Sequence, residues 1–231
     1  MIEADAFAAQ VEREGFAIVE PVFPPHEIDA FAEELAHEPL GRSRAGARHA
    51  MRSPVVAHLA RDARLMSRVR CVLGSEAVPY RATLFDKSPV SNWLVVWHQD
   101  TALPLRERRD LPGWGPWSVK AGITYAHAPT AALRRVLALR IHLDDSTASN
   151  GPLRVLPGSH GRGVLSDAAV QELVRQSLPV DCLVGRGGVL AMRPLIVHAS
   201  SKSRTPDARR VLHIEYAASM DAAEGLALAV A

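Results

Sequence analysis

Cysteine is scarce, with only Cys71 and Cys182 in 231 residues. Neither lies in a close Cys/Cys or Cys/His spacing, which excludes a disulfide framework, a structural zinc site or a dithiol redox pair as the organising feature. Two thiols in a reducing cytosol is the simpler expectation. Long apolar runs are also missing: no segment approaches the ~20 residues of a membrane span. No apolar leader core follows the acidic start Met1-Ile2-Glu3-Ala4-Asp5. These absences predict a soluble, cytoplasmic chain with no membrane partner. Charge of one sign is lacking too, because the formal net charge of +2 is too small to argue for nucleic acid. Arg42, Arg44, Arg48 and Arg52 form a local basic cluster, read either as a solvated loop or as a place to meet an anionic ligand.

What is present is ordinary globular material. Hydrophobic residues make up 48% and charged residues 23%, enough for a sizeable core in one domain spanning 1–231. Residues 3–14 read as a helix and 16–22 as a short strand. Pro24-Pro25 then opens an amphipathic helix over 25–37, with Ile28, Phe31, Ala32 and Leu35 on one face. The stretch 38–53 reads as a loop and 54–73 as a second helical region closed by Gly74. Up to about residue 75 the chain is thus a mainly helical layer.

Beyond it the pattern becomes β. Runs at 77–86, 91–99, 135–144, 152–157, 179–184, 187–193, 195–199 and 208–217 are rich in Val, Leu, Ile and aromatics between Gly, Pro, Asn and Ser turns. These strands predict a jelly roll or barrel, here a double-stranded β-helix core over 76–220. Asn150-Gly151 between two of them reads as a hairpin turn, and 167–177 as a helix. The segment 101–134, broken by Pro104, Pro112, Gly113, Gly115 and Pro116, is long enough to be a lid. Trp114 and Trp117 within it either wall a substrate or tuck the lid onto the core.

The sharpest chemical feature is Trp97-His98-Gln99-Asp100 at the end of an apolar strand. By the two-residue period Leu94, Val96, His98 and Asp100 share a face, which sets an imidazole beside a carboxylate. Such a pair is two-thirds of the facial triad that holds non-haem Fe(II) and leaves positions open. An isolated His-x-Asp is more often a hydrogen-bonded pair at a strand end, and the chain contains a second, His142-Leu143-Asp144. Spacing alone does not choose between them. Late in the chain His198 ends a β run, and Arg209 follows eleven positions on, at the start of the strand Arg209–Tyr216. A guanidinium near an iron site is what the far carboxylate of 2-oxoglutarate would require.

Several segments together resemble the phytanoyl-CoA dioxygenase family of Fe(II)/2-oxoglutarate oxygenases. They are Gly15-Phe-Ala-Ile-Val19, Leu84-Phe-Asp-Lys87 leading into Trp97-His-Gln-Asp100, Asn150-Gly-Pro-Leu-Arg-Val-Leu-Pro-Gly-Ser-His160, and His198 followed by Arg209. The resemblance implies iron ligation by His98, Asp100 and His198, in preference to His142 and Asp144. It implies that Arg209 clamps the 2-oxoglutarate carboxylate with Ser200 assisting. Arg140 falls where some relatives carry a Trp that touches the cofactor, and Thr83 falls on a strand that lines the same pocket. Arg140 departs from that Trp, so it is expected to meet the cofactor, the substrate or only Asp144.

With O2, such a site hydroxylates a C–H bond of a small molecule and releases succinate and CO2. The carboxylate at 100 argues against halogenation, for which related enzymes have a small residue there. His142 and Asp144 are expected to form a structural pair, or else to support the site from behind or to contact the substrate. His26, His37, His49 and His58 read as surface or helix-end residues, and His213 as offset from the inward face. The competing readings are a metal-dependent binding module without turnover, which has no need of a carboxylate clamp at Arg209, and a cupin enzyme independent of 2-oxoglutarate, against which the carboxylate ligand Asp100 counts because such enzymes often use mostly His ligands.

Overall fold

The computed structural model describes residues 4–43, 46–88 and 91–231. Residue 3 of the first expected helix and Arg44 of the basic cluster lie outside the described residues. In chain order come α1 (Ala4–Glu14), β1 (Phe16–Val19), α2 (Pro25–His37), β2 (Arg42–Ser43), β3 (Gly46–Arg48), α3 (Pro54–Leu59), α4 (Ala63–Leu73), β4 (Val78–Lys87) and β5 (Val95–His98). Next are β6 (Ala102–Leu105), β7 (Trp117–Lys120), β8 (Ile123–His127), α5 (Thr130–Leu133), β9 (Val136–His142), β10 (Leu153–Val155) and α6 (Asp167–Gln176). The chain ends through β11 (Val180–Cys182), β12 (Val189–Met192), β13 (His198–Ser200), β14 (Arg209–Ala217), β15 (Asp221–Ala223) and β16 (Leu226–Ala227). Among the described residues no helix is long and apolar enough to cross a membrane.

Two antiparallel sheets make the jelly roll. The larger runs β1-β12-β9-β14-β4-β3-β2 and the smaller β11-β10-β13-β5. Both faces of the large sheet are covered, and the two-residue period sorts its side chains. Leu137, Leu139 and Ile141 of β9, Leu212, Ile214 and Tyr216 of β14, and Ala82 and Leu84 of β4 pack against the helical layer through Phe7, Val11, Ile28, Leu35, Leu65 and Val69. The alternate residues face the small sheet. Near β1 and β12 they are apolar, with Phe16, Ala138, Leu190 and Met192 meeting Leu153, Val155 and Cys182. Toward β4 and β14 they become Arg81, Thr83, Lys87, Arg209 and His213 and line a cavity. A fully buried aliphatic side chain contributes about 1.5–3 kcal/mol, so the apolar face holds the fold and leaves the polar one to the site.

Four expectations about the elements need correction. The region 54–73 is two helices: Ser53 caps the first by accepting from Val56 N at 3.2 Å, and Asp62 caps the second by accepting from Arg64 N at 2.8 Å. Asp is a strong N-cap, and apolar periodicity carries no record of such a restart. The expected loop 38–53 contains the β2–β3 hairpin, which extends the large sheet beyond β4. The segment 101–134 is no unstructured loop, because β6, β8 and β7 form a three-stranded sheet. Leu103, Leu105 and Ala126 pack with Leu226 and Leu228 from the C-terminal hairpin, and Trp114 and Trp117 lie against this cluster.

Asn150-Gly151, finally, is no hairpin turn. It connects β9 of the large sheet with β10 of the small one. The Asn150 amide accepts from Thr147 N and donates to Asp145 O, at 2.9 and 2.8 Å, and so ties the crossing closed. Gly151 has φ +71°, and a Cβ there would stand 2.3 Å from the Ser201 carbonyl oxygen. Gly151→Ala is therefore expected to lose about 1–3 kcal/mol of stability, read from the urea midpoint. An unshifted midpoint would show that the crossing relaxes without cost.

Candidate metal centre

β5 and β13 pair antiparallel with His98 opposite His198 and Val95 opposite Ser200. Three steps along β5 thus match two along β13, a bulge that rotates the β5 pleat. Its consequence corrects the expected face. Leu94 and Val96 are exposed at 57% and 66%, whereas Trp93 and Val95 share the cavity wall with His98 and Asp100. Asp100 lies just past the strand, its backbone N–H held by Pro194 O at 2.9 Å.

His98, Asp100 and His198 each present one ligand atom, all within 4.8 Å of one another. The carboxylate stands between the rings, with Oδ1 3.6 Å from His98 Nε2 and Oδ2 3.5 Å from His198 Nε2. Each Nδ1 meets the carbonyl two residues earlier, Val96 O at 2.8 Å and Ile196 O at 2.9 Å. A carbonyl only accepts, so Nδ1 of the neutral ring carries the hydrogen and Nε2 turns its lone pair inward, the tautomer a metal requires. Burial holds His198 down at about 4 and therefore neutral. Burial would also depress His98, but the hydrogen bond and charge of Asp100 outweigh it and raise that imidazole. Burial would raise Asp100, yet the flanking imidazoles of His198 and His98 keep its carboxyl well below the usual range and ionised. Two imidazoles and one carboxylate on one side of a cavity is a donor set that fits non-haem Fe(II).

Opposite this set the cavity is cationic. Lys87, Arg140 and Arg209 are 1%, 7% and 4% exposed, and Asp100 is the only carboxylate among the described residues that line the space with them. Lys87 Nζ donates to Ser200 Oγ at 2.9 Å and Ser201 O at 2.6 Å. Arg209 donates to Asn150 O at 3.3 Å and Ser200 Oγ at 3.4 Å, while Ser200 passes its hydrogen to Gly151 O at 2.9 Å. Arg140 reaches His213 Nδ1 at 3.0 Å and covers Phe85, but its Nε has no hydrogen-bond partner. Burial, followed by the charges of Arg209 and Arg140, pushes Lys87 down to about 8. Burial chiefly holds Arg140 and Arg209 at about 10. Three buried cations facing a single carboxylate, Asp100, among the described residues are costly, and a dianion is what would relieve them.

Thr83, Arg140, Ser200 and Arg209 all line the cavity. Lys87 was missed as a site residue, although on β4 it lies two two-residue steps beyond Thr83 and opposite Arg209. His213 corrects the expected offset: it lines the cavity, sharing the β14 face with Arg209 by an even spacing. His142 and Asp144 form no pair. Asp144 takes the Arg210 guanidinium at 2.9 and 2.8 Å, which also removes it as a partner for Arg140. Both ring nitrogens of His142 are unpartnered, and burial, then Arg140 and Arg209, keeps the ring neutral. His49 is no surface residue: it is buried and bonds Tyr125 Oη through Nε2 at 2.9 Å.

A family model for phytanoyl-CoA dioxygenase (PhyH) matches residues 11–211. The chain belongs to that family. Among curated members, the ectoine dioxygenase of Sphingopyxis alaskensis is 28% identical over 170 residues, 66% of this chain and 48% of the relative. The L-proline trans-4-hydroxylase of Streptomyces griseoviridis is 28% identical over 189 residues, 70% of this chain and 62% of the relative. The chain thus spans about half the length of the ectoine dioxygenase it matches. The crystal structure of EctD from S. alaskensis with 2-oxoglutarate and 5-hydroxyectoine superposes with a TM-score of 0.69 at 25% identity, covering 92% of this chain and 75% of that one. Within this PhyH-family fold, His98→Ala or His198→Ala is expected to weaken Fe(II) binding by roughly a hundredfold or more, since even outer-shell partners are worth 10–100-fold. His142→Leu should leave it intact in an anaerobic titration. The reverse pattern would assign the metal to the other His-x-Asp.

Proposed function

We propose that the protein is an Fe(II)/2-oxoglutarate-dependent dioxygenase that hydroxylates a C–H bond of a small molecule. His98, Asp100 and His198 hold the iron. Arg209, Lys87 and Ser200 hold 2-oxoglutarate, and Arg140 and Thr83 complete its wall. One observation supports this above all: the buried cations Lys87, Arg140 and Arg209 share a cavity with the His/Asp/His set. Iron alone would not need them. A dicarboxylate spanning from metal to clamp answers both halves of the cavity, and family membership agrees. When bound, Fe(II) with 2-oxoglutarate and O2 supplies the oxidising power for an unactivated C–H bond, and succinate and CO2 leave.

The chain's own residues bind, orient and exclude. The Val96 and Ile196 carbonyls fix both imidazoles before any metal arrives. Ser200 accepts from Lys87 and Arg209 together, so their donors are set before a carboxylate enters. Phe85, Trp93 and Val95 wall the same space and keep water from it. With a carboxylate at Asp100 all three protein positions on the metal are filled, which favours hydroxylation or desaturation over halide transfer.

Purified protein given Fe(II), 2-oxoglutarate and ascorbate is expected to release succinate only in the presence of oxygen. Arg209→Ala and Lys87→Ala should each raise the half-saturating 2-oxoglutarate concentration roughly 30-fold or more, because stranding a buried charge partner costs at least about 2 kcal/mol. Folded protein that binds Fe(II) but has no affinity for 2-oxoglutarate would refute the assignment, and binding without succinate would leave a sensor in its place.

A further inference from the structure

Outside the inner cavity lies a second space of about 290 Å³, sharing Arg81, Thr83, Phe85 and Asp100 with it. The two share Asp100 as a wall, so a molecule in the outer space would lie beside the His98/Asp100/His198 set. Its far wall is built from three separate elements: Arg48 of β3, Lys120 of β7 and Tyr125 of β8. Asp100 is again the only carboxylate among the described residues lining it.

Not every cation here is free. Arg81 is ion-paired with buried Glu215 and donates to Ala102 O at 2.9 Å, so its hydrogen-bonding fork is already engaged. Arg48 and Lys120 have no acidic partner among the described residues. The Lys120 ammonium stands 5.0 Å from the Tyr125 ring centroid, and Arg52 adds a further cation in the recess just beyond Arg48 and His49. Burial depresses Lys120, and the charges of Arg48 and Arg81 add to it; burial likewise depresses His49, followed by Arg52, Arg81 and Arg48. Cations from different strands are thus held close enough to repel one another. His49 sits at a left-handed φ of +58°. That conformation costs a non-glycine residue about 1–3 kcal/mol, and it turns the ring onto Tyr125 Oη under this rim.

We infer that Arg48 and Lys120 bind an anionic group of the substrate, which is therefore a small organic acid or phosphate ester whose oxidised carbon lies between that group and Asp100. The inference rests on the oxygenase reading and goes beyond it. The guanidinium fork fits the planar oxygens of a carboxylate or phosphate, while the ammonium over Tyr125 supplies a second charge. Because both side chains are exposed at the entrance, they also draw anions toward the iron.

The test is anaerobic calorimetry on full-length protein saturated with Fe(II) and 2-oxoglutarate, which leaves only the outer space for a second anion. The probes are N-acetylglycine against N-acetylglycinamide, and glycerol 3-phosphate against glycerol. At least one acid is expected to bind tenfold or more tightly than its neutral twin. That preference should fall below threefold in the double variant Arg48→Gln, Lys120→Gln, while 2-oxoglutarate affinity stays within twofold. The pair that discriminates tells carboxylate from phosphate. Equal binding of acid and neutral twin, binding of neither, or a preference that survives in the variant overturns the inference. Failure of the wild-type protein to bind 2-oxoglutarate would instead bring down the oxygenase reading itself.

Discussion

An excess of buried positive charge is the constraint around which the molecule is arranged. Lys87, Arg140 and Arg209 come from three neighbouring strands, and their side chains enter one cavity where Asp100 is the only carboxylate among the described residues. A buried ion costs several kcal/mol even after relaxation, so a cluster of three persists only where the surrounding fold is stable enough to impose it. The large sheet is that fold. Its opposite face buries Leu137, Leu139, Leu212 and Ile214 against the helices, and the same pleat that turns those residues one way turns the cations the other.

The metal set obeys the same logic with one local departure. The β5 bulge opposite His198 and Ser200 sets His98 and Asp100 on the inner face beside Trp93 and Val95, where a regular strand would have carried Leu94 and Val96 inward with them. Backbone carbonyls then orient both rings, and the Asn150–Gly151 crossing supplies the oxygens that hold Arg209 and Ser200. The His98/Asp100/His198 set and the buried cations are thus joined through Ser200, two residues beyond His198. Geometry at one end of the cavity is coupled to geometry at the other by a single short strand.

Much of this was legible in the chain. The eight β runs fall on strands of the two sheets, and His98, Asp100, His198, Arg209, Ser200, Arg140 and Thr83 all reach one space. Signals that depend on one residue's local hydrogen bond were harder to read. The Asp62 cap restarts a helix that periodicity draws as continuous, and the small strands of 101–134 are spaced by turns that look like loop composition. His213 and Lys87 were available from even spacing to Arg209 and Thr83 along their strands and were passed over. His49 was not available at all: its burial depends on Tyr125, distant in sequence and brought near only by the three-stranded sheet.

The most direct measurement is a crystal structure grown without oxygen in the presence of Fe(II) and 2-oxoglutarate. The account predicts one metal ion bonded to His98 Nε2, His198 Nε2 and Asp100, with the cosubstrate chelating it and its far carboxylate on Arg209 and Lys87. Metal bound at His142 instead, or 2-oxoglutarate lying away from the three buried cations, would contradict it.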